Sequence, residues 1–271
     1  PNLKIKMGIN CVTDEQLQSL KEVSAFVDEL ANKAHWNQQP FVGKSAFAHK
    51  GGVHVSAVRK NAQTYEHVQP EKVGNHQRIL VSDLSGKSNV LHKAKEYGLN
   101  VDDKDPKVQK ILTSLKESEN LGFQYEGAEA SFELMMRDAL GQKETFFEFI
   151  GFRVIVEKRQ EDEEPISEAT VKLRVNGVQE VSAAEGTGPV NALDKAIKKA
   201  LVKFYPELEE VNLYDYKVRI LEEKKGTRAK TRVLVESGDH HSKWGTVGVS
   251  ENIIEASWQA LIDSIDYKLN R

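Results

Sequence analysis

The sequence predicts an α+β protein in which helical subdomains are followed by a duplicated β-β-β-α domain. Up to about residue 140, apolar side chains recur every three or four positions, as in helices that bury one face. From Phe146 onward, they alternate with polar side chains, which is typical of half-buried strands. The order of three strands and a helix then occurs twice, at a period of about sixty residues, which indicates an internal duplication.

The helices of the first half are predicted from start signals and apolar spacing. Thr13 stands three residues before Gln16, which is a capping-box pattern. Ser88 is expected to cap a helix, and Asp105 followed by Pro106 is a strong helix start. The predicted spans are about 14–33, 53–60, 88–97, 106–121 and 128–140.

The strands of the second half are predicted from alternation and turn residues. Asn176-Gly177 is the strongest hairpin signal in the chain. Ser250 is expected to cap the last helix. The two repeats should pair their sheets and bury both helices on one side. The predicted strands lie around 152–156, 169–175, 178–184, 211–222, 229–237 and 244–249, with helices from about 189 to 204 and from 250 onward.

Composition excludes several classes of protein. The chain has 271 residues and a net charge of −3, with no basic, aromatic-rich stripe, so nucleic-acid binding is not expected. No apolar run approaches a membrane span and no signal peptide is visible. Cys11 is the only cysteine, which excludes a disulfide within the chain and fits the cytoplasm. The start at Pro1 rather than methionine is expected of a fragment or a processed chain.

The stretch 45–74, SAFAHKGGVHVSAVRKNAQTYEHVQPEKVG, gathers His49, His54 and His67 around Tyr65. Histidine titrates near neutral pH and a tyrosine hydroxyl can pass on a proton, so the cluster is a candidate proton-transfer site. The alternative is a polar loop and helix with incidental histidines, and spacing alone favours it. No metal site is expected, because glycines interrupt the offset between His49 and His54. The adjacent His240-His241 are interpreted as exposed turn residues.

A second candidate site lies where strands lead into helices. Gly186-Thr187-Gly188-Pro189-Val190-Asn191 opens one helix, and Gly248-Val249-Ser250 opens the other in the same manner. Free N–H groups at a helix N-terminus favour a carboxylate, and Gly188 would let it approach the backbone. Tight strand-to-helix turns explain the glycines equally well. Ser85-Gly86-Lys87-Ser88 lacks the upstream glycine of a phosphate loop, so that interpretation is rejected.

Three motifs in order, AFAHKGGVHVSAVRKN, TYEHVQPEKVG and VSDLSGKSNV at 81–90, together resemble the linker region of the 2-isopropylmalate synthase and citramalate synthase family. Lys50-Gly51-Gly52 followed by His54-Val55-Ser56 resembles the citramalate branch, whereas the leucine-pathway enzymes typically carry His-Gln-Asp. The tail resembles the family's regulatory domain. The resemblance therefore covers essentially the whole chain and implies three regions: 1–87, the end of the barrel and the linker subdomain; 88–143, a small helical subdomain; and 144–271, a regulatory and dimerisation domain.

The resemblance implies that the full-length protein is an acyltransferase, which condenses acetyl-CoA with pyruvate in isoleucine biosynthesis by a Claisen-type reaction. His54 and Tyr65 would be its catalytic linker residues, reaching the barrel of the partner subunit. The divalent metal of the family is held by the barrel, and its His-x-His pair has no counterpart in this sequence. No cofactor is therefore expected in this chain, and the chain alone is expected to be inactive.

The resemblance also implies a homodimer and a feedback site for isoleucine. The effector residues would be Gly188, Pro189, Val190, Asn191 and Tyr216. Asn191 departs from the small apolar residue of some members, which leaves isoleucine or leucine open as the effector. Two alternatives remain: the same region of a 2-isopropylmalate synthase with leucine feedback, and a stand-alone amino-acid-binding or dimerisation module.

Overall fold

The computed structural model describes residues 1–82, 85–102, 105–221, 226 and 228–271. The chain divides into two compact units, Pro1–Leu112 and Thr113–Arg271. Helices and small sheets occur together, so the predicted α+β class is confirmed. The predicted regions 1–87, 88–143 and 144–271 do not coincide with this division and stay a prediction.

The first unit consists of short helices and one small parallel bridge. Helix α3 begins at Gly52, three residues after the end of strand β1, and its buried Val55 and Val58 fix it to the unit. Strand β1 pairs with β2. The elements are α1 (Asp14–Gln18), α2 (Leu20–Leu30), β1 (Ala48–His49), α3 (Gly52–Lys60), β2 (Arg78–Ile79) and α4 (Lys87–Glu96), with short helical turns at Asn2–Lys6, Ala62–Thr64 and Pro70–Val73.

Two of the predicted helix features in this unit are wrong. The helix predicted over about 14–33 breaks at Ser19 and ends at Leu30. The Ser19 hydroxyl donates back to the carbonyls of Glu15 and Gln16, a bond that competes with continued helix. Ser88 does not cap α4, because that helix begins one residue earlier behind an extended Gly86. The capping box of Thr13 and Gln16 is confirmed, with both reciprocal hydrogen bonds present.

Two longer helices begin and end close to the predicted residues. Helix α5 (Pro106–Leu121) starts behind Asp105, whose Oδ1 accepts from the Lys107 N–H at 2.8 Å. Helix α6 (Glu129–Leu140) ends at Gly141, which adopts φ 71° in the left-handed region. Both predictions are confirmed.

The second unit contains the predicted duplication. Each half forms an antiparallel three-stranded sheet in chain order, followed by a helix. Asn176 and Gly177, at φ 51° and 81°, make the tight turn between paired Val175 and Val178, as predicted. The predicted strand end at Glu222 lies outside the described residues. The elements are β3 (Glu148–Glu157), β4 (Ile166–Val175), β5 (Val178–Gly186), α7 (Pro189–Leu201), β6 (Asn212–Ile220), β7 (Thr231–Gly238), β8 (Lys243–Ser250) and α8 (Ile253–Asn270).

The two halves join through one apolar core. Among the described strands, the two sheets do not hydrogen-bond to each other, so they do not pair into one sheet. Alternate residues of β4 are fully buried beneath α7, and the same core continues to β7 and α8. The cap of α8 is Asn252, which accepts from two backbone N–H groups, so the prediction of Ser250 is wrong. Typical core residues are Val171, Leu173, Leu193, Ile197, Val233, Leu261 and Ile265.

Glycine permits each helix to approach its sheet. A Cβ atom on Gly186, in β5, would lie 2.3 Å from the Ala192 nitrogen of α7. A Cβ atom on Gly248, in β8, would lie 2.0 Å from the Ala256 oxygen of α8. Neither distance is sterically possible, so the close packing of both helices requires glycine at these two positions.

The first strand of each half is incompletely covered. The strand pairing places the side chain of Val156 of β3 on the face of the sheet that is buried in the neighbouring strand. The side chains of Val218 and Ile220 of β6 lie on the corresponding face of their own sheet. Their exposed fractions are nevertheless 55%, 42% and 55%. We call these three residues the open strand face. On these first strands, part of the face that elsewhere forms the core is therefore apolar surface exposed to solvent.

A polar cluster lies where α6 packs on α8 in the second unit. The Ser131 hydroxyl donates to Asp263 Oδ2 at 2.5 Å and accepts from the Val247 N–H at 3.0 Å. Lys143 pairs with Asp266 at 2.8 Å in the same cluster. Burial raises the pKa of Asp263 to about 7, against the opposing effects of the Ser131 hydroxyl and Lys143.

This raised pKa predicts a pH-dependent stability that Asp263→Asn removes. Between the ordinary carboxyl value of 3.8 and about 7, the folded unit binds more protons than the unfolded chain, so its stability falls as pH rises. The neutral amide should therefore stabilise the second unit by about 1 kcal/mol or more near pH 8 and have little effect near pH 4. Urea unfolding followed by Trp244 and Trp258 fluorescence reports on this unit.

The matched control is Asp162→Asn in the exposed loop after β3, for which no such pH dependence is expected. Equal effects of Asp263→Asn at both pH values would contradict the assignment of the raised pKa.

Candidate functional site

His54 and Tyr65, eleven positions apart in sequence, stack on each other in the first unit. Their ring centroids are 4.2 Å apart and their planes differ by 30°. His54 lies in the first turn of α3, and Tyr65 follows the turn Ala62–Thr64 that folds the chain back. The Tyr65 side chain is 46% exposed and His54 is exposed as well, so both rings are open to an approaching molecule.

A buried polar network lies behind this pair. His49 Nε2 and Glu66 Oε1 are 2.9 Å apart, and Gln77 Nε2 donates to the same oxygen at 2.7 Å. The side chains of His49 and Glu66 are 10% and 5% exposed, and the His49 ring lies edge-on to Tyr65 at 6.5 Å. Sequence reasoning missed Glu66 and Gln77. The only signal was the position of Glu66 directly after Tyr65.

The network explains how the exposed pair is held. Buried polar groups keep their geometry when their hydrogen bonds are satisfied. Since Glu66 is the residue after Tyr65, fixing Glu66 also restricts the position of Tyr65. An imidazole beside a phenol hydroxyl can take up or deliver a proton at a developing oxyanion or carbanion. His67 is not part of this arrangement, because its ring packs against Phe41 at 6.0 Å.

No group of three His, Cys, Asp or Glu residues that could hold a metal ion occurs in the described ranges. His240 and His241 are exposed in the turn between β7 and β8, as interpreted from the sequence. None of the described helices has both the length and the apolar content needed to cross a membrane.

The predicted effector residues lie at the start of α7 and on β6. Gly188 is the N-cap of α7 and Pro189 its first residue. Gly188 has extended backbone, and no atom lies within 4 Å of the position of a Cβ atom there. The approach of a carboxylate to the backbone at Gly188 stays a prediction, and the glycine of this turn that packing requires is Gly186. Space for a ligand is therefore present at Gly188.

The side chains of the other effector residues have partners of their own. Asn191 Oδ1 accepts from the Thr187 N–H at 3.3 Å. The Tyr216 hydroxyl and Ser257 Oγ share a hydrogen bond of 2.8 Å. Val190 and Tyr216 are half-buried and pack against the same apolar core. Two of the five residues, Val190 and Tyr216, thus contact the core, while the amide of Asn191 is engaged in its own turn.

Residues 126–269 match the model of the LeuA allosteric (dimerisation) domain. The chain belongs to this family. The LeuA domain contains α6, both β-β-β-α halves and therefore all five predicted effector residues. Residues 41–122 match the model described as homocitrate synthase post-HMGL domain-like, which contains His54 and Tyr65.

The chain is also similar to curated proteins over nearly all of its length. It is 59% identical to the (R)-citramalate synthase of Geobacter sulfurreducens, covering 100% of this chain and 51% of that protein. It is 54% identical to the (R)-citramalate synthase of Aquifex aeolicus, with 99% and 51% covered. A 2-isopropylmalate synthase of Methanocaldococcus jannaschii is 29% identical over 94% of this chain and 47% of that protein. The chain thus spans about half the length of these relatives, and the family resemblance found in its motifs is confirmed.

Proposed function

We propose that this chain is the linker and regulatory part of an (R)-citramalate synthase, an acyltransferase that condenses acetyl-CoA with pyruvate. The observation that carries the proposal is the exposed stack of His54 on Tyr65, held by the buried His49–Glu66 pair. The similarity to citramalate synthases at 59% and 54% identity supports the same choice of substrates.

The proposed chemistry assigns proton transfer to the stacked pair. Acetyl-CoA must lose a methyl proton, and the resulting enolate attacks the keto carbon of pyruvate, whose oxygen becomes an alkoxide. His54 and Tyr65 can move a proton to or from these centres and orient them. A divalent metal, bound by the barrel of the full-length enzyme, would polarise the 2-oxo acid. Since the proposal assigns no metal ligand to this chain, the chain alone should be inactive.

In the full-length enzyme, His54→Ala and Tyr65→Phe are expected to lower kcat by about 100-fold or more, because each removes a proton-transfer group. KM for pyruvate should change little, since neither side chain is assigned to bind it. Steady-state rates with acetyl-CoA and pyruvate measure both constants. The control His67→Ala alters a histidine of the same stretch that packs elsewhere and should keep its turnover. Near-normal turnover of both test variants would remove the pair from the mechanism.

The proposal includes a homodimer formed by the second unit. The open strand face leaves Val156, Val218 and Ile220 exposed on the core side of their sheets. A second copy that covers these residues would bury the apolar surface that the shared core leaves exposed, and apolar surface of this kind favours association.

Sedimentation of the chain is therefore expected to give a dimer, and the double variant Val156→Asp/Val218→Asp a monomer, because the new charges would be desolvated at the interface. The control Ile155→Asp changes the next residue of β3, which lies on the opposite side of the sheet and is also exposed. It should remain dimeric. A wild-type chain that sediments as a monomer at high micromolar concentration would contradict the proposal.

The proposal also includes feedback by isoleucine at the start of α7. The carboxylate of an amino acid suits the free N–H groups that follow Gly188, where there is space for it. Its branched side chain suits partly buried apolar residues such as Val190 and Tyr216, which both pack against the core. The ammonium group requires acceptors, so Asn191 would exchange its bond to Thr187 for one to the ligand.

Calorimetry of the chain with isoleucine, leucine and valine should find saturable binding of isoleucine, which Gly188→Val abolishes by filling the space beside the N–H groups. The variant should fold, since no atom lies within 4 Å of the position of its Cβ atom and the backbone there is extended. The control Gly151→Val places the same side chain at another open glycine of this unit. Preference for leucine would favour the 2-isopropylmalate alternative. Absence of binding for all three, or normal binding by Gly188→Val, would contradict the proposed site.

A further inference from the structure

The C-terminal end of α5 lies on the outer face of the sheet β6–β8, the face opposite the shared core. Arg232 of β7 donates from Nε to the Gly122 carbonyl, directly after the helix, at 2.6 Å and from Nη1 to Gln124 Oε1 at 2.5 Å. Lys230 Nζ donates to the Leu121 carbonyl at 3.4 Å. The last carbonyls of a helix lack partners within it and form the negative end of its dipole, so cations are suited to hold them. We call the two hydrogen bonds of Arg232 the α5 latch.

Glycine lets the backbone fit closely at the latch. A Cβ atom on Gly122 would lie 2.4 Å from Leu221 Cδ1, directly after β6, and 3.3 Å from Val249 Cγ1 of β8. Gly122 also adopts φ 112°, which residues with a side chain rarely adopt. The end of α5 is therefore seated against side chains from β7, from β8 and from the residue that follows β6.

The two halves of the second unit differ on their outer faces. On β4, the outward side chains of Glu168, Lys172 and Arg174 are exposed, whereas Arg232 on the corresponding strand β7 is partly covered. Both halves have the same order of elements and share one core. A β-β-β-α half therefore does not need a helix end on the outer face of its sheet in order to form. The docked end of α5 is an addition to the repeat, and it is available for a separate role.

Opposing interactions act on the latch. Both of its acceptors are neutral oxygens, whereas a guanidinium makes its strongest hydrogen bonds to carboxylates. Arg219 of β6 lies directly opposite Arg232 in the strand pairing, and like charges at such positions repel each other. Partial burial and the charge of Arg219 lower the pKa of Arg232, while Glu119 acts in the opposite direction. A contact with these opposing contributions can open without unfolding of the core beneath it.

We infer that the α5 latch is a reversible regulatory contact, which holds the end of α5 to β7 in one arrangement of the protein and releases it in another. Strand β7 links the latch to the proposed effector site, because Val235, three residues after Arg232, pairs in register with Tyr216. Both Val235 and Tyr216 belong to the packing of the shared core, so an effector beside Tyr216 can displace β7. Helix α5 begins at Pro106, within the first unit, so the backbone leads from the latch to that unit. The inference deepens the proposed feedback and rests on it.

Hydrogen exchange of the 271-residue chain tests the latch without any effector. In Arg232→Gln, the amides of residues 116–124 should exchange about tenfold faster or more, because two hydrogen bonds from a charged group are lost. Gln124→Ala removes one acceptor and keeps every charge, and it should accelerate the same amides by about threefold or more. The matched control Arg219→Gln removes the opposing arginine and should slow them by about twofold, because the repulsion is lost.

The amides of α8 show whether each variant keeps the fold of the second unit. Unchanged exchange at 116–124 in Arg232→Gln, with α8 protected as in the wild-type chain, would overturn the latch. Equal acceleration by Arg219→Gln would overturn it as well. If α8 also exchanges faster in Arg232→Gln, the Gln124→Ala variant decides, and normal exchange at 116–124 in that variant rejects the latch.

Inhibition of the full-length enzyme tests the regulatory role. Arg232→Gln should raise the isoleucine concentration for half-inhibition by about tenfold and leave kcat without isoleucine unchanged, because the end of α5 no longer follows β7. Calorimetry of the variant chain should find isoleucine affinity within about threefold of the wild-type value, since Arg232 and Tyr216 lie on opposite faces of the sheet. Normal inhibition despite faster exchange would overturn the regulatory role. A wild-type chain that does not bind isoleucine would instead contradict the proposed feedback and the regulatory role with it, whereas the exchange experiment would still decide whether the contact opens.

Discussion

The second unit depends on the close approach of each helix to its sheet, which is possible only because the third strand of each half carries a glycine at the contact. Gly186 and Gly248 place the backbones of α7 and α8 directly against β5 and β8. With the helices this close, the buried rows of β4 and β7 and the inner faces of both helices merge into one core. A core shared in this way couples the two halves energetically, since a change in the packing of one helix is felt by the other. Sequence similarity between the halves is low, so the duplication is preserved in steric requirements rather than in residue identity.

That core is closed on one side and open on the other. The helices cover the second and third strands of each half, whereas the first strands, β3 and β6, keep exposed apolar residues on their inner side. A monomer would expose this surface to water at a cost of about 25 cal/mol for each Å². The family description as a dimerisation domain agrees with this geometry. Because the proposed effector residues Val190 and Tyr216 pack against the same core, an effector could change how readily the open face is covered.

Elements with strong local signals were predictable from the sequence. Asp105-Pro106, the Thr13 capping box and Asn176-Gly177 each satisfy their backbone groups within a few residues, so no distant contact can override them. The errors lie where neighbouring residues compete for one role, as when Asn252 rather than Ser250 caps α8. In the candidate site, His54 and Tyr65 came from the family resemblance, and their stacking is a matter of geometry. Glu66 and Gln77 could not be predicted, because what distinguishes them is their hydrogen bonding to partners distant in sequence.

The proposed feedback requires the effector to bind two arrangements of the protein with different affinities. An effector can inhibit only to the extent that it binds one arrangement of the protein more tightly than another, so its differential affinity limits the effect. Isoleucine and leucine differ only in the position of a methyl group, and an apolar edge such as that of Val190 and Tyr216 can separate them by about 1–3 kcal/mol at most. The hydrogen bond between Asn191 and Thr187 affects the affinity as well, because a ligand must break it to use the amide oxygen. Its cost is the same for every amino acid, however. Asn191 can therefore affect the overall affinity for amino acids and link their binding to the conformation of the turn at Gly188. Discrimination between isoleucine and leucine must come from the apolar residues that contact the side chain of the effector.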